Sequence, residues 1–362
     1  MRKLTKLFAG AISAAAAVAL VAGTVTTASA DPIGKNGKPI IPATFDVIGV
    51  GSNTTQFVLD QISLDYNKTV PTSKHSAANP YLYSWDAVGS AKITTKGGCS
   101  PIVRPNGSGA GLKALTANTK VGRFFCIDFG RSSSGRAITA PPPGPNGVAY
   151  VAFARDAVTY ATRTARFGGT DAPGNLTTAD LTKIYTCAAG ARNWKAFGGK
   201  NATIKPILPQ ANSGTRSFFL KTIGVASPGG CVTTGPEENE GVNPILNNAA
   251  VIYPFSVGSY VAQAFHPGNK FGKNQVGVLG LNKINGIAPL SGRVINHAFA
   301  VSAFGRTVFN IVRTISKTRI TPGLVKIFGS RAQKGFLCSS PVAAKDITNY
   351  GFLNWPTCGS LS

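Results

Sequence analysis

"ILPQANSGTRSFFL", residues 207 to 220, holds the grammar of the whole fold in fourteen positions. Ile207 and Leu208 read as the end of a short strand. A polar turn follows, Asn212-Ser213-Gly214-Thr215-Arg216. Phe218, Phe219 and Leu220 then open a helix that Gly224 stops. The first N–H groups of a helix have no partner inside it, and the helix dipole is positive at that end. Such a turn is either a plain cap or a seat for an anion.

The same strand, turn and helix recur upstream. "FDVIGVGS", 45 to 52, runs into "NTTQFVLDQISLDYNK", with Val58, Ile62 and Tyr66 at helical spacing. "RPNGSGAGLKALTAN", 104 to 118, is a Gly-Ser turn entering a short helix, and "CIDFGRSSSG", 126 to 135, is a strand entering a Ser-rich turn. "TAPPPGPNG", 139 to 147, is a connector and a lobe boundary. "VAYVAFARDAVTYATR" reads as a pair of strands, and "LTTADLTKIYTC" as a helix capped at Thr177 or Thr178. After residue 250 strands are expected in "AVIYPFSVGSY", "VGVLGLN", "RVINHAFAVSAF" and "RTVFNIV", then a short helix in "GLVKIFGS". Strands alternating with helices predict an α/β architecture with largely parallel sheets.

Composition sets the setting. Arg2, Lys3 and Lys6, an Ala-rich apolar run from Leu7 to Val25, and Ala28-Ser29-Ala30 form a secretory signal peptide over residues 1–30. No Cys stands at its cleavage site, so a secreted or periplasmic, cell-envelope protein without a lipid anchor is expected. Beyond it, 34 Lys and Arg face 13 Asp and Glu, a formal charge of about +21. That field attracts anions of any kind. No run of five or more cations and no nucleic-acid motif is present, so nucleic acid is not an expected partner. Cys99, Cys126, Cys187, Cys231, Cys338 and Cys358 read as three disulfides in an oxidising compartment. Six Cys allow fifteen connectivities. Nearest-neighbour pairing is the simplest, and each such loop is worth roughly 3–4 kcal/mol in the chain-entropy model. The spacings lack the C-x₂-C pairs of zinc sites, and neither metal nor cofactor is expected.

The order of these turns resembles the phosphate-binding proteins of ABC transporters. "GVGSNTTQ", "GSGAGLK", "IDFGRSSS", "LTTADLTKIYTCAAGARNW", "NSGT" and "NYGFLNWP" are similar to that family's motifs, in its order, over most of the chain. The resemblance implies a periplasmic-binding-protein type II fold: two mixed-sheet, Rossmann-like lobes with a central ligand cleft. Lobe one would be 32–148 with 256–362, and lobe two 149–255. It implies a monomer that binds phosphate or a similar oxyanion and works with an ABC transporter permease. Carried over by position, the donors are Asn53, Thr54, Ser108, Ser213, Gly214 and Thr215.

Asn53 stands where the family has Thr and Thr54 where it has Phe, and two further departures matter more. Its binding Arg falls on Pro209 here. Arg216 could point back into the cleft in its place, or be a solvated residue of the first helical turn; Arg131 is a second candidate. Its Asp falls on Ser133. A carboxylate there accepts the proton of phosphate and repels sulfate, whereas Ser accepts without repelling. A catalytic reading finds less support. Neither Gly130-Arg-Ser-Ser-Ser134 nor Gly107-Ser-Gly-Ala-Gly111 has the spacing of a nucleophile elbow. Glu237, Glu238 and Glu240 sit in a Gly/Pro/Asn-rich run that reads as a solvated face. The rival readings are an envelope-associated binder of acidic polymers, which the charge favours, and an exported phosphatase-like hydrolase.

Overall fold

The computed structural model describes residues 31–32, 39–266, 268, 271 and 274–362; the expected signal peptide lies outside them. Strand β1 (Val47–Gly51) ends in a polar turn, and α1 (Gln56–Thr69) follows. Helix α1 buries Val58, Leu59, Ile62 and Tyr66, one apolar face at helical spacing. Next come β2 (Leu82–Ser84), α2 (Ser108–Thr116) and β3 (Phe129–Ser132). Strands β2 and β3 both pair parallel with β1.

"VAYVAFARDAVTYATR" is one strand rather than two: β4 (Val148–Arg163). No Gly, Pro or Asn interrupts it, so nothing turns the chain. At about 3.3 Å per residue it is roughly 50 Å long, enough to pass through both halves of the molecule. Beyond it lie α3 (Thr178–Tyr185), β5 (Lys205–Leu208), α4 (Gly214–Thr222), β6 (Thr233–Thr234) and β7 (Val251–Ser256). Both β6 and β7 pair parallel with β5. The stretch after β7 is helical, not extended, because the Ser256 hydroxyl accepts from the Ser259 N–H and starts α5 (Val257–Phe265). Strands β8 (Leu279–Leu281), β9 (Gly305–Ser316), β10 (Arg319–Ile320) and β11 (Leu353–Asn354) complete the sheet.

The sheet has eleven strands, ordered β6-β5-β7-β4-β9-β3-β1-β2, with β8 and β11 pairing to β4 and β10 to β9. It is mixed. Two parallel trios, β2-β1-β3 and β6-β5-β7, flank the long antiparallel pair β4 and β9. One core cluster spans Val47 to Ala154 and resumes at Val308. A second spans Ala157 to Phe304. The chain was expected to return to the first lobe near residue 256, a position inside this second cluster; Val257, Ile284 and Phe299 still belong to it. Three disulfides, Cys99–Cys126, Cys187–Cys231 and Cys338–Cys358, follow the nearest-neighbour pairing. Among the described residues no helix is long and apolar enough to cross a membrane.

Candidate functional site

Turns from both trios meet between the two clusters. Three of them follow the carboxyl end of a strand in the sheet, where an open α/β sheet leaves a crevice; the turn before α2 joins them through the parallel bridge of Asn106 to Gly51. The turn after β1 supplies Ser52, Asn53 and Thr54; the start of α2 supplies Ser108; the end of β3 supplies Ser133; the start of α4 supplies Ser213, Gly214 and Thr215. All are buried. Direct bonds join the halves: Gly109 N–H donates to the Asn212 carbonyl at 3.3 Å, and Gln210 Nε2 to Asn106 Oδ1 at 2.9 Å.

At the centre lies a carboxylate of the chain itself. Glu238 is fully buried. Its Oε1 accepts from Thr54 N at 3.1 Å, Thr54 Oγ1 at 3.2 Å and Ser52 Oγ at 3.3 Å. Its Oε2 accepts from Ser213 Oγ at 2.5 Å and Thr215 N at 3.2 Å. Ser213 has two tasks: its hydroxyl oxygen also accepts from the Arg216 N–H as the helix cap. The turn of α4 thus both caps the helix and holds the Glu238 carboxyl group. The run 237–240, expected on a solvated face, instead sends Glu238 inward.

The other expected residues divide. Ser108 and Ser133 line the same space: Ser133 N donates to Ser108 Oγ at 3.0 Å, and Ser52 Oγ lies 3.0 Å from Ser133 Oγ. Gly214 lets the backbone press against both, since a Cβ there would stand 2.2 Å from Ser108 Oγ and 2.4 Å from Ser133 Oγ. Asn53 faces the scaffold, accepting from Asn274 Nδ2 at 2.6 Å. Arg131 stands behind the β1 turn, donating to the Ser52 carbonyl and to Ser84 Oγ. Asp60 and Asp86 lie beside it. Burial pushes both carboxyls above the ordinary range, most strongly for Asp60. Arg216 turns to the sheet edge, donating to the Pro209 carbonyl at 3.0 Å and Thr234 Oγ1 at 2.8 Å.

Among the described residues, the cation that reaches the site is Arg306 on β9. Its Nη2 donates to Thr215 Oγ1 at 3.0 Å, and its Nε to Asp156 Oδ2 at 2.9 Å. Asp156 also accepts from Ser256 Oγ and from the Gly258 N–H at the start of α5, each at 2.9 Å. Arg306 and Asp156 face each other in the β9–β4 register. Sequence reading passed over them. The available signal was Asp156, the one acidic residue of β4, and Arg306, one of two arginines in β9. Arg306 also borders a cleft of about 960 Å³ lined by Arg136, Arg155, Lys221, Tyr150 and Phe218.

A family model described as a PBP superfamily domain matches residues 42–296. Comparison with curated proteins returns no match. Among solved structures, the fold is similar to an ABC-type phosphate transport receptor from Vibrio cholerae. Its TM-score is 0.55 at 19% identity, covering 85% of this chain and 99% of that one. A putative phosphate ABC transporter substrate-binding protein from Clostridium perfringens, with bound phosphate, has a TM-score of 0.56 at 15% identity, covering 86% and 99%. Both share the two-lobed architecture built here from two parallel trios and a long antiparallel pair. The chain belongs to the PBP superfamily.

Proposed function

We propose that the protein is an exported solute-binding protein that takes an inorganic oxyanion, phosphate first, in the cleft between its lobes, for uptake or scavenging. One observation carries this reading: hydroxyl and N–H donors from both lobes converge on a single dehydrated carboxylate. Ser52, Thr54, Ser213 and Thr215 neutralise nothing, yet together they hold an anion. Charge-assisted bonds of this kind are worth about 1.5–3 kcal/mol each. The phosphate named for both solved relatives makes phosphate the first candidate. Lobe one is assigned 32–148 with about 305–362, and lobe two the chain between. Ser133 in place of a carboxylate supports weaker discrimination against sulfate. Titrating phosphate and sulfate by calorimetry, at low and high salt, tests the reading. Heat that barely changes with salt is expected, because a buried site is screened little. No heat with either anion, from wild type or from a Glu238→Ala variant, overturns it.

The basic cleft favours a second reading. Among the described residues no carboxylate lines it, while Arg136, Arg155, Lys221 and Arg306 do. A segment of an acidic envelope polymer fits that chemistry, and its binding would collapse as salt rises.

A further inference from the structure

We infer that Glu238 is a tethered ligand: the chain's own carboxylate occupies the oxyanion seat, holds the lobes closed, and must be displaced before a free anion binds. This rests on the proposed oxyanion site and adds its regulation.

The segment carrying Glu238 is anchored to its own lobe through its backbone, while the side chains beside it also reach the first lobe: Asn106 Nδ2 donates to Glu237 Oε2 at 2.8 Å and Asn239 Nδ2 to Thr54 Oγ1 at 3.3 Å. Glu238 N donates to Gln210 Oε1 at 2.8 Å, and Gln210 N to the Pro236 carbonyl at 3.0 Å. The Tyr253 hydroxyl donates to the Glu237 carbonyl at 2.8 Å. Asn239 takes the left-handed conformation, φ +65°, which turns the chain and aims its neighbour inward. Its side chain accepts from Ser256 N, and its carbonyl from Gln263 Nε2. A surface loop that merely brushes a crevice has no such fixings.

The head of the side chain crosses to the other lobe. Oε1 is held by Ser52 and Thr54, which precede β2, and Oε2 by Ser213 and Thr215 on α4. Both oxygens and both lobes are engaged, as they would be around two oxygens of a tetrahedral anion. A free oxyanion needs the same donors and carries the same sign of charge, so the two exclude each other. A tethered competitor acts at an effective concentration in the millimolar range or above. If the seat is free about 1% of the time, the apparent Kd for phosphate rises about 100-fold.

The experiment compares wild type with Glu238→Ala and Glu238→Asp, the full chain with its disulfides intact. Inorganic phosphate and sulfate are titrated by calorimetry, and the radius of gyration is measured by small-angle scattering with and without phosphate. Aspartate keeps the charge but is one methylene too short to hold both donor sets, so it retains the fold if the alanine variant does not. Expected are phosphate binding at least 10-fold tighter than wild type in both variants, about 100-fold in Glu238→Ala, and an anion-free form that expands and then compacts with phosphate. Wild type stays compact throughout. Equal or weaker phosphate binding in the variants overturns the tethered-ligand inference and leaves the oxyanion reading standing. Expansion of the variants with no binding of either anion sinks the oxyanion reading and keeps Glu238 as the latch between lobes. Variants that neither bind nor expand sink both.

Discussion

Removing the Asp156 carboxylate should cost more stability than removing any exposed charge. Asp156 is fully buried and Arg306 nearly so, and their closest atoms are 2.7 Å apart. In Asp156→Ala the Arg306 guanidinium loses its counter-ion, and Ser256 Oγ and the Gly258 N–H lose their acceptor. Breaking a buried pair from one side costs about 3–5 kcal/mol, because the remaining charge stays desolvated. The unfolding entropy near 60 °C is about 2.1 cal/mol/K per residue. For the 332 residues beyond the signal peptide this gives roughly 0.7 kcal/mol/K. A loss of about 4 kcal/mol then lowers Tm by about 6 °C. Differential scanning calorimetry of the oxidised protein reads it directly. The double variant Asp156→Ala, Arg306→Met leaves no stranded charge and should recover the part of the loss due to the unpaired guanidinium, while Ser256 Oγ, the Gly258 N–H and Thr215 Oγ1 stay without their partners. An Asp156→Ala melt within about 2 °C of wild type, or a double variant less stable than the single one, would refute the argument.

Gly214→Ala, placed in the Glu238→Ala background so that the seat is open, should weaken phosphate binding at least 10-fold, about 1.4 kcal/mol. The new Cβ displaces the Ser108 and Ser133 hydroxyls while φ stays ordinary for alanine, so Tm should barely move; an unchanged Kd by calorimetry counts against the placement of the seat. Asp346 offers a pH test. Burial, then the neighbouring Asp65, pushes its carboxyl from 3.8 to about 7. The folded state therefore binds that proton more tightly than the unfolded chain, and stability falls as pH rises from about 4 to about 7. Asp346→Asn should raise Tm at pH 8 and leave it unchanged at pH 4; a gain independent of pH shows that the ionisation is not the cause.

Four of the six strands in the parallel trios were legible because each strand–turn–helix unit is local, while β2 and β6, of three and two residues, were not read from the sequence. Hydrophobic spacing marks α1, and Ser213 marks the start of α4 as a cap before any partner is known. The long pair was not. A 16-residue apolar strand and two shorter ones have the same period, and only the missing turn residues in β4 distinguish them. The helix α5 was hidden by the apolar residues around it. Its signal was Ser256, a cap within a run that reads equally well as strand.

The same division runs through the site. Donors offered by a helix N-terminus belong to a stretch of four residues, so the turns that hold Thr54, Ser108, Ser213 and Thr215 were marked in the sequence, and the family resemblance singled those residues out. What those donors hold is set by side chains 25 and 91 positions further along. Glu238 is aimed by a single left-handed Asn and Arg306 by the register of β9 on β4, and neither leaves a periodic trace. Yet the chemistry narrows the choice. Buried donors left unmet cost about 1–3 kcal/mol each. A closed ring of them therefore demands an acceptor, and in a two-lobed receptor opening to water is the usual way to meet that demand. In a chain with 13 acidic residues against 37 basic ones, three acids within four positions are conspicuous. On the tethered-ligand reading, Glu238 meets the donors without opening the lobes, so closure becomes the resting state and the free anion competes against it.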